Sequence, residues 1–502
     1  PGDPELVTRK AVRCLGLADL VLYDSLVHPD LLEHCRPDAE QVFVGKRAGR
    51  SSQRQAEINA RIIEAARSGK VVARLKGGDP YLFGRGSEEA EALHEAGIRF
   101  EVVPGVPSPN AATAYAGMSL THRDMASSVA YITATESPEK DRSSHDWAKL
   151  ATATQTLVIF MGVRKLDSLM QLLIEHGRSR DCPVAVIQWA STPKQRTVVG
   201  TVATIAQRVQ EAGVGMPALT VIGEVVTLRD KLRWYDLQPL FAKRVLVTRA
   251  EEQSGSLAQT LREHGADPIE MPMIRIDPPA DAQALPRAIQ RIREYAWVAF
   301  TSQNGVNAFF ECVRALGGDA RWLGGARVAA IGPSTAAALL PHGVRADVVP
   351  ESYRGEALAE QIVAAHGGGS MQGAAVLIPR AAVARDVLPD MLREAGARVD
   401  VVEAYRTTGA DAATAGMLKK LLAARELDVV TFTSSSTVEH TLSALGPDAA
   451  RLLSGVTLAS IGPITSETAT ARGLEIDVTA KRYTIDGLVE ALATHFTQPE
   501  PS

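Results

Sequence analysis

Short apolar runs alternate with amphipathic stretches over the first 124 residues. Runs at 18–23, 41–44 and 71–75 have the length of buried strands, and each is followed by glycine or charged residues. Residues 55–66 place apolar side chains at helical spacing between two of these runs. Such repeated strand-then-helix units predict a mainly parallel sheet, with a further strand at 100–103.

The alternation restarts near Ser127 and continues to about residue 242. Apolar runs there predict four strands, and the amphipathic stretches between them predict helices. The predicted strands are 129–133, 156–160, 184–188 and 219–223, and the predicted helices include 165–176 and 202–212. We therefore expect two subdomains in this half, about 1–124 and 125–242.

An internal repeat occupies the rest of the chain. Val245–Arg249 (VLVTR) matches Val376–Arg380 (VLIPR) at an offset of 131 residues. Two further pairs of segments match at offsets of 132 and 130, namely 298–306 with 430–438 and 328–335 with 458–465. Three blocks at a nearly constant offset predict a duplicated α/β unit within 243–497.

Length and composition narrow the class of protein. At 502 residues the chain is too long for one hydrophobic core, so about two to four domains are expected. An apolar fraction of 45% with 22% charged residues is that of a globular protein. A formal net charge of −4 gives no basic signature for nucleic acid or a membrane surface. No apolar run approaches the roughly 18 residues that a membrane-spanning helix needs, so we expect neither partner.

The cysteines and histidines form no metal-binding pattern in the sequence. The four cysteines, Cys14, Cys35, Cys182 and Cys312, include no CxxC pair, and the 11 histidines include no HExxH motif. We therefore expect no metal and no disulfide framework, and this cysteine usage favours a reducing cytoplasm. No signal-peptide pattern is recognised at Pro1, which agrees with a cytoplasmic location.

The densest candidate chemistry lies in Leu75–Glu89, LKGGDPYLFGRGSEE. The glycines of Gly77–Asp79 allow a ligand to approach the backbone, and the aspartate follows a predicted strand at its carboxyl end, where open α/β sheets bind ligands. A tight turn with solvated charges is the alternative interpretation. Arg85 and Glu88 lie three residues apart, so they form either part of a site or an intraturn salt bridge.

This stretch and three other motifs, between Pro1 and about Trp234, resemble those of the uroporphyrinogen-III C-methyltransferases. The other motifs are Pro1–Leu6 (PGDPEL), Val103–Gly105 (VPG) and Leu120–Asp124 (LTHRD), in the family's order. The resemblance implies a two-domain tetrapyrrole methylase fold over 1–242, a homodimer formed through this half, and S-adenosyl-L-methionine as methyl donor. In the family a strand ending in a Gly-x-Gly turn precedes Pro-Gly-Asp, so this first strand is expected to be missing here.

The resemblance also implies which residues bind the cofactor. Backbone groups of the glycine turn would hold its methionine portion, and Asp79 would accept a hydrogen bond from its ammonium. The implied cofactor-binding positions are Pro1, Gly77, Gly78, Asp79, Leu82, Pro107, Ser108, Met161 and Ala190. The family usually has a pair such as Thr-Ala at Pro107-Ser108 and a glycine at Ala190, so the adenosine pocket is expected to differ in shape.

For proton transfer the family pattern points to Asp24 as acceptor and Lys46 as donor. The structural alternatives are that Asp24 caps the following turn and that Lys46 is a solvated loop charge. The resemblance implies a polycarboxylate substrate, which guanidinium groups would clamp with paired hydrogen bonds. The catalytic and substrate-binding candidates of this half are Asp24, Lys46, Arg47, Arg85, Glu88 and Arg123.

The segments Leu261–Ala266 (LREHGA) and Leu392–Ala397 (LREAGA), each followed by an extended stretch, lengthen the internal repeat. This duplicated half resembles the uroporphyrinogen-III synthases, in which two α/β lobes face each other across a cleft and are joined by two strands. The resemblance implies two interleaved flavodoxin-like or Rossmann-like domains within 243–502. One lobe would comprise 243–277 and 407–497, and the other 278–404.

Hydroxyl side chains recur after the predicted strands of this half. They are Thr301, Ser302, Thr335, Ser434, Ser435 and Thr465, and all are also predicted helix N-caps. A helix N-terminus binds carboxylates well, so a cap and a substrate-binding site are compatible. Tyr405 breaks the repeat, because its counterpart at an offset of 131 is Ile274. In the family pattern a tyrosine at this position assists loss of water, and a packed linker tyrosine is the alternative.

The two resemblances together imply a bifunctional enzyme of porphyrin biosynthesis. The C-terminal half would close hydroxymethylbilane to uroporphyrinogen III with inversion of ring D and loss of water. The N-terminal half would methylate C2 and C7 of that product to give precorrin-2, toward sirohaem or cobalamin. A methylase of a later corrinoid precursor and a nonenzymatic two-lobed binding protein are the alternatives that stay open.

Overall fold

The computed structural model describes residues 1–45, 55–135, 145–367, 369–383 and 386–497, without the side chains of 251–254. The chain forms two compact units. Unit one comprises Pro1–Lys243 with His264–Asp267, and unit two comprises Arg244–Glu263 with Pro268–Ser502. A helix with the length and apolar character to span a bilayer is absent from the described ranges.

The N-terminal domain of unit one is built on a small parallel sheet. Its elements are α1 (Arg9–Leu15), β1 (Leu20–Tyr23), β2 (Glu40–Phe43), α2 (Gln55–Arg67), β3 (Val72–Leu75), α3 (Gly86–Glu95) and α4 (Ser108–Tyr115). β1 lies in the middle, parallel to β2 and to β3. Leu20 and Leu22 of β1 pack against Ile58 and Ile62 of α2, which is why this helix keeps one apolar face. The predicted parallel sheet is confirmed.

The strand predicted at 100–103 does not form. The described sheet has three strands, and residues 98–107 belong to none of them. Phe100 is 45% exposed. A strand needs a hydrogen-bonding neighbour for its backbone, and apolar composition does not reveal whether one is present. The segment instead carries Gly105 to the side chain of Asp79, to which the Gly105 amide donates a hydrogen bond.

The second domain of unit one is a mixed five-stranded sheet. Its elements are β4 (Val129–Thr133), α5 (Trp147–Ala153), β5 (Thr156–Phe160), α6 (Leu166–Glu175), β6 (Pro183–Gln188), β7 (Arg196–Thr201), α7 (Ile205–Glu211), β8 (Ala218–Ile222) and α8 (Arg229–Leu232). The strand order is β4-β5-β8-β6-β7, and β8 runs antiparallel to both β5 and β6. The four predicted strands are present. β7 is not among them, because this edge strand is irregularly buried and lacks a clear alternation.

Unit two contains the remaining helices and strands. They are β9 (Arg244–Val247), α9 (Glu251–Glu263), β10 (Asp267–Glu270, which begins in unit one), β11 (Ile274–Asp277), α10 (Ala284–Gln290), β12 (Trp297–Phe300), α11 (Gln303–Ala315), β13 (Arg327–Ala330), α12 (Pro333–Leu339), α13 (Gly355–His366), β14 (Ala375–Ala381), α14 (Val387–Glu394), β15 (Arg398–Gly409), α15 (Ala412–Ala423), β16 (Val429–Phe432), α16 (Ser435–Leu445), α17 (Ala449–Leu453), β17 (Thr457–Ser460), α18 (Pro463–Ala471), β18 (Val478–Thr479) and α19 (Ile485–Thr497).

These strands form two sheets that share four repeat-equivalent strands and differ in the fifth. One has the order β10-β9-β16-β17-β18 and the other β11-β15-β14-β12-β13. β9 and β14 carry the matching VLVTR and VLIPR segments, and each has the repeat-equivalent strand on either side. β9, β16, β17 and β18 are parallel, and so are β15, β14, β12 and β13. The duplication is therefore confirmed, and the first sheet has the flavodoxin-like order 2-1-3-4-5.

The chain leaves the first sheet after β10 and enters the second at β11, and the predicted lobe bounds at 277 and 407 stay a prediction. β11 pairs antiparallel with β15 in the second sheet, with Ile274 opposite Gly409. The extended stretch 269–276 therefore divides into two strands. Pro272 lies between them, and the amides of its neighbours Met271 and Met273 donate to the carbonyl oxygens of Val247 and Thr248. Met271 and Met273 on either side are buried in the core of the first lobe.

Candidate functional site

In unit one the glycine turn after β3 is held against the turn before α4. Gly78 has a φ of +79°, which favours glycine, and a Cβ on Gly105 would lie 2.3 Å from the Gly78 carbonyl oxygen. The Asp79 carboxylate accepts hydrogen bonds from the amides of Tyr81 at 2.8 Å and Gly105 at 3.1 Å. One Asp79 oxygen thus caps its own turn and the other joins that turn to the one before α4, while its bond to a ligand ammonium stays a prediction.

The cofactor-binding positions implied by the resemblance lie in one continuous region. The Gly2 amide donates to Ser191 Oγ at 2.8 Å, which brings Pro1 beside Ala190. Leu82 and Ala190 pack against the same apolar cluster at the end of the second-domain sheet. The rings of Phe83 and Phe160 lie 4.7 Å apart between centroids, next to Met161. A Cβ on Gly78 would contact Ser108 and Pro107.

Two exposed apolar side chains follow β5 and β6 with left-handed backbone. Met161 has a φ of +54° and is 45% exposed, and Trp189 has a φ of +47° and is 40% exposed. Such backbone is costly for non-glycine residues and is concentrated at ligand sites. β5 and β6 both run antiparallel to β8, so their carboxyl ends lie at the same end of the sheet. A glycine cradle and an apolar rim fit a cofactor with a charged amino-acid end and an aromatic base. Sequence reasoning missed Trp189, because an exposed tryptophan has no motif.

Asp24 follows β1 and makes contacts that agree with both of its interpretations. Its Oδ1 accepts a hydrogen bond from the Leu26 amide at 3.0 Å, which is a turn cap. Its Oδ2 lies 3.5 Å from Arg74 Nη2, and its side chain is 26% exposed. Asp24 is therefore held by the protein and still open to a substrate. Lys46 and Arg47, the other predicted residues here, lie outside the described residues.

The glutamate drawn into this region is Glu89, whereas sequence reasoning chose Glu88. Arg85 donates to Glu88 at 2.9 and 2.6 Å on the surface, so the salt-bridge alternative is present. This hydrogen bond raises the pKa of Arg85 and lowers that of Glu88. Glu89 is 7% exposed and bonds Lys76 and Arg74. Arg123 is exposed in the turn after α4, and within the described residues it contacts neither the Arg85–Glu88 pair nor Glu89.

In unit two the predicted tyrosine is buried beside a predicted serine. Tyr405 is 8% exposed, and its hydroxyl lies 3.0 Å from Ser302 Oγ. Ser302 caps α11 by accepting from the Gly305 amide at 3.0 Å. Burial raises the pKa of Tyr405, so this hydroxyl keeps its proton at neutral pH. The pair can donate a proton at a helix start, and Thr301 is half-buried beside it.

The other hydroxyls divide into caps and buried side chains. Ser434 caps α16 through the Thr437 amide, and Ser435 Oγ lies 2.7 Å from Thr468 Oγ1. Thr335 and Thr465 are not caps, because Gly332 and Gly462 occupy those positions. Both threonines are nearly buried, at 3% and 5% exposure. A carboxylate at these helix starts would therefore meet backbone N–H groups rather than the threonine hydroxyls.

Residues that sequence reasoning missed join the two lobes of unit two. Tyr353 and Tyr483, at the repeat offset of 130, meet edge to face with ring centroids 5.9 Å apart. Each ring covers the capping glycine of its own lobe, Gly332 or Gly462. Arg249 Nη2 donates to Gln303 at the start of α11 at 2.9 Å, and burial lowers the Arg249 pKa.

No cluster of three or more acidic, histidine or cysteine side chains suited to a metal ion occurs in the described ranges. Most of the predicted site residues that the structure describes lie in two places, one in each unit. One is the edge formed by the glycine turn and the ends of β1, β5 and β6. The other is formed by the starts of α11, α16 and α18 with Tyr405.

Two family models match the chain. Residues 1–206 match the tetrapyrrole (corrin/porphyrin) methylases, and residues 255–490 match uroporphyrinogen-III synthase HemD. Each match covers one of the two regions just described, and together they extend over most of the chain.

Curated relatives match one half or the entire chain. The porphyrin biosynthesis protein HemD of Ruminiclostridium josui is 38% identical over 492 residues, which are 98% of this chain and 96% of that protein. The uroporphyrinogen-III C-methyltransferase of Bacillus subtilis (strain 168) is 44% identical over 62% of this chain and 64% of its own. The chain spans about half the length of the siroheme synthases that it matches, such as the 48% identical one from Acinetobacter baylyi, of which 51% is covered.

Solved structures match the N-terminal half. The uroporphyrin-III C-methyl transferase of Thermus thermophilus complexed with S-adenyl homocysteine is 39% identical and covers 45% of this chain and 95% of its own, with a TM-score of 0.39.

Proposed function

The chain is a bifunctional enzyme of tetrapyrrole biosynthesis, belongs to the family of the porphyrin biosynthesis protein HemD, and joins a methylase half to a uroporphyrinogen-III synthase half; on this premise we propose its two reactions. The C-terminal half closes hydroxymethylbilane to uroporphyrinogen III with inversion of ring D and loss of water. The N-terminal half methylates that product at C2 and C7 to precorrin-2. The chain therefore supplies a precursor of sirohaem or cobalamin.

The observation that supports the methylation proposal is the convergence of the cofactor positions around the glycine turn. Gly77 and Gly78 leave backbone groups accessible, and Asp79 fixes their turn by its hydrogen bonds. Met161 and Ala190 lie across from this turn, after the carboxyl ends of β5 and β6. S-adenosyl-L-methionine bound there would supply an electrophilic methyl group. The protein must then align the attacking pyrrole carbon with that group and remove the proton that the carbon loses.

Asp24 is our proposed proton acceptor for methylation. Its Oδ1 is fixed by the Leu26 amide, while the carboxylate stays partly exposed at the end of β1. Lys46 remains our proposed donor, and Arg47, Arg85 and Arg123 remain the proposed clamps for substrate carboxylates. Freeing Arg85 requires breaking an exposed ion pair with Glu88, which costs little because such pairs contribute about 0–1 kcal/mol.

For cyclisation we propose that Tyr405 donates its proton to the departing hydroxyl. Ser302 holds the phenol oxygen at 3.0 Å and would orient it. The helix starts at Ser302, Ser434 and Pro463 would bind substrate carboxylates through backbone N–H groups of their first turns. Loss of water leaves a cation on the bilane beside the Tyr405 phenolate, and the proton that the bilane releases on ring closure restores the phenol.

The test is turnover of hydroxymethylbilane by the complete chain with and without S-adenosyl-L-methionine. Uroporphyrinogen III without the cofactor, and a product heavier by two methyl groups with it, would support both reactions. Release of only the symmetric isomer I would refute the synthase proposal. Methylation of a later corrinoid precursor but not of uroporphyrinogen III would favour the first alternative, and binding without any turnover would favour a two-lobed binding protein.

We also propose that the two activities belong to separable domains and that the methyltransferase half forms a homodimer. Unit one includes His264–Asp267, whose backbone bonds residues 240–243. A cut placed before Gln238 keeps those hydrogen bonds within one fragment. Light scattering of the complete chain and of residues 1–237 would show whether dimerisation resides in the N-terminal half.

A further inference from the structure

A buried carboxylate lies behind the glycine turn, and the reaction proposed above does not use it. Glu89, in the first turns of α3, accepts hydrogen bonds from Lys76 Nζ at 3.0 and 3.2 Å, Arg74 Nε at 3.2 Å and Gln55 Nε2 at 3.0 Å. The side chains of Glu89 and Lys76 are only 7% and 9% exposed. Buried charges persist only when they are paired and fully hydrogen-bonded, so this group is tightly placed.

Arg74 connects this carboxylate to Asp24. Its Nη1 donates to the carbonyl oxygens of Leu22 at 3.2 Å and Leu75 at 2.8 Å, which fixes the guanidinium between β1 and β3. Its Nη2 faces Asp24 Oδ2 at 3.5 Å while Nε faces Glu89. One guanidinium therefore contacts the proposed base on one side and the buried carboxylate on the other.

Lys76 connects the same carboxylate to the cofactor turn. It immediately precedes Gly77, and its ammonium also interacts electrostatically with Asp24 and Arg74. The charged groups around Asp24 in the described residues are thus Arg74 of β3, Lys76 directly after β3, and Glu89 of α3 behind them. Without Glu89, two buried cations would face Asp24 with one carboxylate between them, which is a costly imbalance.

We propose that Glu89 is a positioning residue for methylation, which balances and fixes Arg74 and Lys76 so that Asp24 remains an effective base beside a fixed cofactor turn. The inference rests on the proposed function, in which Asp24 accepts the proton lost from the substrate. Glu89 touches neither substrate nor cofactor, and its effect is transmitted through the two cations.

The opposite signs of two substitutions separate positioning from packing. Glu89→Gln keeps the shape and removes one negative charge, so Asp24 faces uncompensated cations and loses basicity. Arg74→Gln removes the cation beside Asp24 and has the reverse effect. The acid limb of the pH profile of methylation kcat/KM should move down by about 0.5–1 unit in the first variant and up in the second, since one neighbouring charge shifts a carboxylate by roughly one unit or more.

The rate should change together with the profile. Glu89→Gln should lower kcat for methylation on the order of tenfold, a small part of the 10²–10⁴ that a positioned base contributes. Glu91→Gln is the matched control, because Glu91 is exposed on the same helix and should leave both kcat and the profile unchanged. Calorimetric binding of S-adenosyl-L-methionine by each variant establishes that the methylase half is folded.

Each result decides between the explanations. Opposite shifts in the two variants, with cofactor binding retained, support the proposal. Unchanged profiles, equal shifts in one direction, or loss of cofactor binding in both variants would overturn it and make the cluster a structural support. If the unsubstituted chain methylates nothing, the proposed function fails instead, so the two failures are distinguishable.

Discussion

The two candidate sites differ in how they use charge. Around Asp24 and the glycine turn, two carboxylates and two cations lie within hydrogen-bonding reach of one another, largely buried. Around Tyr405 the close contacts join uncharged groups at the start of α11, where Arg249 donates to the Gln303 amide oxygen. The difference follows from the two tasks. Taking a proton from carbon needs a base of controlled strength, whereas losing hydroxide needs one donor and room for a cation.

Removing the charged base should have the largest effect and leave the other site untouched. Asp24→Asn keeps the cap to the Leu26 amide through its carbonyl oxygen, so the fold should survive. Methylation should slow by roughly 10²–10⁴, the usual range for a positioned base, while cyclisation by the same chain stays normal. Stopped assays of both reactions on one preparation make this measurement. If methylation kept its normal rate, another residue would have to be the base, and the charged site would not depend on Asp24.

At the neutral site the matching substitution should be milder. Tyr405→Phe removes one hydroxyl that is shared with Ser302, and Ser302 keeps its cap to Gly305. Cyclisation should slow by about 10², the lower end of the range for a positioned acid, because a tyrosine with a raised pKa is a weak donor.

The ratio of product isomers I and III is the most informative measurement on the Tyr405→Phe variant. Bilane that escapes the slowed enzyme closes spontaneously to isomer I, which chromatography separates from isomer III. Normal formation of isomer III by Tyr405→Phe would reduce Tyr405 to a packing residue. Because burial raises its pKa, the hydroxyl stays protonated as the pH rises through neutrality, so no loss of activity from its ionisation is expected below about pH 10.

Asp79 tests whether the charged half also depends on carboxylates for structure. Its two oxygens hold the Tyr81 and Gly105 amides. Asp79→Ala should weaken cofactor binding by about 1.5–3 kcal/mol, the scale of hydrogen bonds to a charged group. Asp79→Asn keeps an acceptor for one amide and should lose less. If calorimetry gave the same affinity for S-adenosyl-L-methionine in both variants and the unsubstituted chain, the glycine turn would not need the Asp79 carboxylate to keep its shape.

The sequence predicted where the repeated strands lie better than it predicted which strands pair with each other. VLVTR and VLIPR predicted matching strands because short, fully apolar runs bounded by turns are typical of buried parallel strands. The same reasoning failed at 100–103, where the run is apolar but no neighbour pairs with it, and at β7, where an edge position blurs the alternation. Pairing is a long-range property, and local composition does not contain it.

The site residues show a similar limit. Motif resemblance gathered the residues around Gly77–Asp79, and the structure brings them into one region. The spacing from Arg85 pointed to Glu88, and Glu89 was missed because helix phase depends on where the helix begins. Arg85 has left-handed backbone with a φ of +58°, so α3 begins at Gly86 and turns Glu89 inward. Tyr353 and Tyr483 escaped notice because aromatic residues carry no signature until the two lobes are placed together.

The smallest expected effect concerns how the two lobes of the neutral site hold each other. Tyr353 and Tyr483 are repeat-equivalent and meet edge to face, and the lobes are also joined by an exposed ion pair of 3.8 Å between Arg354 and Glu467. Edge-to-face pairs contribute about 0.5–1.5 kcal/mol beyond buried area, and the 45% exposure of Tyr483 favours the lower end. A double-mutant cycle with Tyr353→Leu and Tyr483→Leu should therefore give a coupling of about 0.5 kcal/mol.

The measurement is the urea concentration at which the complete chain loses cyclisation activity, with methylation followed in parallel as the activity of the unaffected half. Tyr353→Phe keeps the ring and should retain the coupling. Strictly additive leucine variants would mean that the rings do not meet in solution, and that the lobes of the synthase half are held by the strands β11 and β15 and the remaining polar contacts.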